Sequence, residues 1–337
     1  MRFGLALDFG SDRYSQDQLL ERFLPLIALA EHYGFDAVFA GENYPTGPGR
    51  FHTPSPLLIL AALSRETSLR LGTGVTLVPV WHPLKLAYDT AMLDQLSGGR
   101  LILGVGLGNP PDWVRFGIRR EELAQRMDEM LRALRALWSG KPGFQGNLIR
   151  IEGGIAPLPL QPGGPPLWVG GRTRRATQRA AWLGEGYYAA TPYLFSFIQE
   201  QIERYHAALA TLPVPKSPLV GVNRLTVLAE DDATARSEGR PYVESVLEKY
   251  VAINELAGLS ADEVQGGSMT LLDRHNEQVC LVGSPATVLA RVKQYAAIGV
   301  TDLQLRVAPG DMPAPLIERT IRLFGEKVMP QFREAPA

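Results

Sequence analysis

The densest group of chemically useful residues is Leu167-Trp168-Val169-Gly170-Gly171-Arg172-Thr173, an apolar strand-like run that meets two glycines, an arginine and a threonine just before a helical pattern. Glycines let an anion approach the backbone, and a helix start presents unpaired N–H groups and the positive end of its dipole. Arg172 adds a charged planar fork and Thr173 a hydroxyl. Gly170, Gly171, Arg172 and Thr173 therefore read as a phosphate cradle. The plainer alternative is an ordinary strand–helix turn carrying a solvated arginine.

Other candidates lie after other strand-like runs. Leu71-Gly72-Thr73-Gly74-Val75-Thr76 is a strand pattern with two glycines, which marks a bulge, a bend or the close approach of a ligand. Gly104-Val105-Gly106-Leu107-Gly108 is not a dinucleotide fingerprint, because Asn109-Pro110-Pro111 follows where a helix should open. It reads either as a strand kept slim beside a flat ligand or simply as a tight turn. Glu42 and Asn43 offer a carboxylate and an amide to a heterocycle or substrate, although Glu42 could equally pair with an arginine at the rim. His82-Pro83 is an acid–base candidate or a loop anchor. Glu42, Asn43 and His82 are the catalytic candidates, and Asn109, Asp112 and Trp113 the substrate-pocket candidates, the latter from loop position alone. Neither a G-x-S-x-G elbow nor a Walker loop occurs. The chemistry thus points to a bound, phosphate-bearing cofactor that the protein positions.

The elements that must position these residues alternate regularly. Strand patterns are expected at Arg2–Leu7, Asp36–Ala40, Arg70–Thr76, Arg100–Val105, Leu167–Gly170, Gly186–Ala190, Leu219–Leu228 and Asp302–Val307. Helical patterns separate them, one opened by the capping-box sequence Ser15-Gln16-Asp17-Gln18 and another closed by Gly98-Gly99. Eight strands joined by helical crossovers predict an α/β fold, a single (β/α)8 TIM barrel spanning 1–337. Segments 139–166 and 231–278 read as insertions at the C-terminal mouth, the first holding a hairpin around Phe144–Ile151. A doubly wound two-domain enzyme would need a linker, and none is evident.

Composition narrows the partners. The net charge is -1 and no basic cluster is interleaved with aromatics, so neither nucleic acid nor a membrane surface is indicated. A single cysteine, Cys280, precludes an intrachain disulfide, and the scattered histidines predict no metal site. Of the 34 basic residues 28 are Arg and 6 are Lys, a bias read as genomic. The N-terminus lacks a signal-peptide pattern and no apolar run approaches the ~20 residues that span a bilayer, so a cytoplasmic protein is expected.

Leu69–Gly117, the segments RMDEMLRALRALWSG, PLWVGG and RAAWLGEGY, and LVGSPATVLARVKQYAAIGVTDLQL near the end together resemble the bacterial luciferase-like flavin monooxygenase superfamily. The resemblance implies a barrel that binds FMN or coenzyme F-420 at its mouth. It implies phosphate contacts from Gly171, Arg172, Thr173 and Arg126, and a cis peptide at Gly74–Val75 beside the flavin ring, with Gly106 nearby. Asn43 stands where luciferase carries a catalytic histidine, Gly106 replaces its reactive cysteine and Leu107 its neighbouring arginine, which argues against light emission. The expected activity is that of a two-component monooxygenase using reduced FMN and dioxygen on a small organic substrate, served by a separate flavin reductase and assembled as a homodimer. The alternatives are a coenzyme F-420-dependent hydride-transfer oxidoreductase and a non-catalytic flavin-binding barrel.

Overall fold

The computed structural model describes residues 1–11, 13–44, 53–252, 278–309 and 311–333. Residues 45–52 of the loop after the second strand and 253–277 of the expected 231–278 insertion lie outside the described residues.

The chain runs β1 (Arg2–Leu7), α1 (Gln16–His32), β2 (Ala37–Ala40), α2 (Pro56–Leu63), β3 (Arg70–Thr73), β4 (Thr76–Leu77), α3 (Pro83–Ser97) and β5 (Leu101–Gly106). It continues through α4 (Pro110–Arg115), α5 (Leu123–Trp138), the strands β6 (Gly143–Gln145) and β7 (Arg150–Glu152), β8 (Leu167–Gly170), α6 (Arg174–Leu183), β9 (Gly186–Ala189) and α7 (Phe195–Leu209). It closes with β10 (Val220–Leu228), α8 (Asp232–Ala252), β11 (Cys280–Gly283), α9 (Pro285–Ala297), β12 (Asp302–Arg306) and α10 (Ala314–Leu323).

Eight parallel strands close a ring in the order β1-β2-β3-β5-β8-β9-β10-β12, with β12 returning to β1 through the register Arg2↔Asp302 to Ala6↔Arg306. This is the (β/α)8 barrel that the alternation predicts. Local signals act as expected. Ser15 and Gln18 form the capping box that starts α1, and Gly98 ends α3 in the left-handed region at φ 68°. Phe144 pairs with Ile151 across the β6–β7 hairpin.

Two expectations need correction. The run Arg70–Thr76 is not one strand: it stops at Thr73 and resumes at Thr76, across a cis Gly74–Val75 peptide. Residues 110–115, expected as loop, form α4; the prolines occupy its first turn, where a missing N–H leaves nothing unpaired, and the Asp112 carboxylate accepts the Asn109 backbone N–H at 3.0 Å. The described part of 231–278, a segment with a helical and polar pattern, is the helix α8, which packs on β10 and β11; the strand β11 was not foreseen. Cys280–Gly283 lies outside the eight-strand alternation and pairs only with Leu225–Leu228 at the end of β10.

Side chains alternate between two cores. Outward-facing residues such as Leu5, Val38 and Leu103 pack against the helices. The smaller inner core is dominated by Phe39, Trp168 and Tyr188, whose ring centroids lie 5.8–6.2 Å apart. The rings fit because neighbouring strands are bare there: a Cβ on Gly72 would lie 2.2 Å from Phe39. At the N-terminal end, Asp302 receives Arg2 at 2.7 Å and Arg70 at 3.4 Å. The interior is thus filled from below and ends in an aromatic floor, above which the loops at the C-terminal strand ends stand.

Candidate active site

The turn after β8 combines several anion-binding features. Gly171 has φ +143°, and a Cβ there would come within 2.6 Å of Ala176, so only glycine leaves this backbone open. Its carbonyl is held by the Tyr187 hydroxyl at 3.0 Å. Thr173 is the N-cap of α6 and its hydroxyl accepts the Ala176 N–H at 3.3 Å, while Arg172 and Thr173 are exposed. The first N–H groups of α6 have no partner within the helix.

Asp128 on α5 fastens α6 alongside. It accepts Arg179 Nε at 2.5 Å and also the Arg175 guanidinium, and Arg179 donates to the Ala124 carbonyl at 2.9 Å. Burial opposes ionisation of Asp128, but the two guanidiniums outweigh it and hold the carboxyl below its usual range. Arg126, two residues before Asp128, is half-buried and donates Nε to the Pro79 carbonyl at 2.8 Å. The phosphate-turn candidates and Arg126 thus sit on the adjoining starts of α5 and α6.

The Gly74–Val75 peptide is cis, the conformation that the family resemblance implied. Glu42 brackets it. Its backbone N–H donates to Val75 O at 2.9 Å, and its buried carboxylate accepts the Tyr44 hydroxyl at 2.5 Å, the Leu77 N–H at 2.8 Å and the Trp81 indole N–H at 3.0 and 3.1 Å. Burial pushes the Glu42 carboxyl up despite these donors, and Asp112 adds to the rise. Burial, then Glu42, raises the Tyr44 phenol too, so it remains a donor.

The other candidates separate. The Asn43 side-chain oxygen accepts the Thr53 N–H at 3.1 Å, and the Asn43 backbone N–H donates to Thr53 O at 3.1 Å. Asn109, Asp112 and Trp113 come together on α4. Asp112 is buried, with its carboxyl raised by that burial, and Trp113 Nε1 donates back to Leu107 O at 2.6 Å. The Tyr44 and Phe116 rings, 4.8 Å apart, join α4 to the β2 exit. Gly106 lies beside Val75, whose Cγ2 would be 2.8 Å from a Cβ there. His82 is exposed as the N-cap residue of α3 and makes no side-chain capping bond, so it joins neither group.

Several mouth residues escaped the sequence reading. Asp8 follows β1 and Arg306 ends β12; they pair at 2.9–3.1 Å, and Arg306 also donates to Tyr250 of α8 at 2.9 Å. Burial disfavours that charge, but Asp8 and Tyr250 more than compensate and raise the guanidinium above its ordinary value. Tyr188, Asn223 and Thr191 form a second chain of hydrogen bonds. Arg224, the next residue on β10, is fully buried on the opposite face of the strand, donating to Tyr295 at 2.6 Å, Thr191 O at 2.8 Å and Tyr193 O at 2.7 Å. Strand alternation would have aimed Arg306 and Tyr188 inward; no local signal paired them with partners 30 or more residues away.

Among the described residues no group of three or more His, Cys, Asp or Glu side chains could hold a metal, and no helix is long and apolar enough to cross a membrane. The site therefore offers an anion turn, a half-buried Gly74–Val75 segment against which Gly106 packs, and a buried hydrogen-bonded floor. That set fits a flat cofactor with a phosphate tail: the open backbone at Gly171 and the α6 start suit the phosphate, and the half-buried Gly74–Val75 segment, which carries no long side chain, suits a ring.

Comparison with known proteins agrees with this geometry. The sequence model of luciferase-like monooxygenases matches residues 1–302. The chain is 27% identical to the oxygenase component of the flavin-dependent trigonelline monooxygenase of Acinetobacter baylyi, over 99% of this chain and 96% of that protein. It is 24% identical to an F420-dependent glucose-6-phosphate dehydrogenase of Nakamurella multipartita, over 99% of this chain and 97% of that protein. The solved structure of the monooxygenase RslO1 from Streptomyces bottropensis superposes with a TM-score of 0.85 at 29% identity, covering 99% of this chain and 100% of that one.

Proposed function

Because the chain belongs to the luciferase-like monooxygenase family, we propose that it is the oxygenase component of a two-component system that takes reduced FMN from a separate flavin reductase and uses dioxygen on a small organic substrate. The protein is an enzyme, a luciferase-like oxidoreductase. The observation that carries the finer reading is the anion turn Gly170-Gly171-Arg172-Thr173 at the start of α6, in a chain that matches an oxygenase component along nearly its whole length.

In this reading Gly170, Gly171, Arg172, Thr173 and Arg126 hold the phosphate, while Gly74, Val75 and Gly106 lie against the ring. Bound reduced flavin supplies the electrons that activate dioxygen. The residues of the chain position and enclose it. Glu42, with both oxygens engaged by donors, holds the β2 exit against Leu77 and Trp81 rather than moving protons. Asn43 and the α4 residues Asn109, Asp112 and Trp113 form the substrate side, and His82 at the α3 start is the remaining acid–base candidate. The aromatic floor excludes water from below.

A coenzyme F-420 hydride-transfer role is the second reading, favoured by the likeness to the F420-dependent dehydrogenase. Titration of the purified protein with FMN and coenzyme F-420, each oxidised and reduced, separates the two. Selective binding of reduced FMN is the expected result, and selective F-420 binding would overturn the monooxygenase reading. We further read the chain as one barrel domain with excursions at 139–166 and 231–278, working in the cytoplasm as a homodimer without nucleic-acid or membrane partners. Leu58 on α2 and Met92 and Leu96 on α3 support the dimer, being 71%, 45% and 48% exposed on neighbouring helices.

A further inference from the structure

Tyr188 rises from β9 into the top of the barrel interior and is only 2% exposed. Its hydroxyl lies against the half-buried Gly74 at the mouth, so close that a Cβ on Gly74 would stand 2.8 Å from the phenol oxygen. That oxygen accepts Asn223 Nδ2 at 3.2 Å, and Asn223 Oδ1 in turn accepts the Thr191 hydroxyl at 3.1 Å. Thr191 is fixed through its carbonyl, which accepts Arg224 Nη1 at 2.8 Å. The Thr191 hydroxyl thus donates to Asn223, and Asn223 donates to the Tyr188 oxygen.

The phenol hydrogen is left over. Among the described residues none accepts it within hydrogen-bond distance, yet a buried O–H without an acceptor is costly. Burial also raises the phenol far above its ordinary value, so the hydrogen stays on at neutral pH. The hydroxyl thus lies beside the cis Gly74–Val75 segment with a hydrogen to give and no acceptor for it among the described residues.

Resting on the flavin reading of the mouth, we propose that Tyr188 donates its hydroxyl hydrogen to the bound flavin ring, held on target by Asn223 and Thr191, and thereby favours the reduced, more electron-rich form. Tyr188 is then a cofactor-contacting residue, and Asn223 and Thr191 are positioning residues. A hydrogen bond that strengthens as the ring gains negative charge discriminates between redox states, which a purely structural tyrosine does not.

The test is the dissociation constant of oxidised and of reduced FMN, and of both forms of coenzyme F-420, for the full chain and for Tyr188→Phe, together with the absorption spectrum of the bound oxidised cofactor. The expected result is a loss of about tenfold in the preference for the reduced form, the worth of one charge-assisted hydrogen bond, with a shifted absorption band. Asn223→Leu keeps the phenol but removes its guide, and should lose preference in the same direction by less. Equal factors for both redox states and an unshifted spectrum in both variants would overturn the proposal, as when Tyr188 gives its hydrogen to Asn223. A parent protein that binds neither cofactor in either state would overturn the flavin reading itself, and this inference with it.

Discussion

Glu42 and Trp81 are joined by one indole N–H shared between the two carboxylate oxygens, at 3.0 and 3.1 Å. With the Tyr44 hydroxyl and the Leu77 N–H, this bond ties the β2 exit to the segment that follows the cis peptide. Glu42→Ala would strand two buried N–H donors, and is expected to cost about 3 kcal/mol in urea unfolding. The pH dependence has a definite sign. Burial raises the folded-state pKa of Glu42, so its contribution is full below the unfolded carboxyl range and is lost as pH rises through the raised folded value. Glu42→Gln has no such titration, and its deficit relative to the parent should shrink between pH 4 and pH 8, values that straddle the ordinary carboxylate range of about 4.3. A constant deficit would contradict a raised Glu42.

Arg172→Ala tests the anion turn. The side chain is exposed and α6 keeps its Thr173 cap, so the variant should still fold. Cofactor affinity should fall by about tenfold or more, as expected for losing a charged contact to phosphate. Isothermal titration showing undiminished affinity would remove Arg172 from the phosphate site.

Gly104 on β5 leaves no space for a side chain, since a Cβ would lie 1.9 Å from the Thr73 carbonyl oxygen. Gly104→Ala must push the β5 and β3 backbones apart, and is expected to cost at least about 3 kcal/mol or to prevent folding. Gly117→Ala is the control: nothing lies within 4 Å of its Cβ, and its φ of +66° should cost only about 1 kcal/mol. Equal stabilities for the two variants would mean that β5 and β3 yield readily.

The proposed homodimer is tested by Leu58→Glu combined with Met92→Glu. Both side chains are exposed, so the fold should survive while a charge enters the apolar face. Sedimentation velocity should then show a monomer where the parent shows a dimer. A dimer that persists would place the interface on another face.

Much of this protein is written in short-range patterns. Apolar runs such as Arg2–Leu7 and Leu101–Gly106 alternate with helical stripes such as Leu123–Trp138, and eight such strands leave a closed parallel barrel as the economical solution. Ser15, Gly98 and the Gly171–Thr173 turn act through neighbours a few residues away, so the sequence alone was enough to place them. Short elements were harder: α4 behind two prolines and the four-residue β11 are stabilised by contacts rather than by periodicity.

What only the tertiary structure decided is which side chains meet. Nothing in the order of residues says that Glu42 will have its oxygens taken by Leu77 and Trp81, that Asp128 will hold Arg179, or that Tyr188 will receive Asn223. Those pairs are set by barrel closure and strand register, which bring together positions 35 or more residues apart in the case of Tyr188 and Asn223. Residue type and spacing announce the capacity for a hydrogen bond, but only the folded backbone determines whether that capacity is used up within the protein or left open to a ligand.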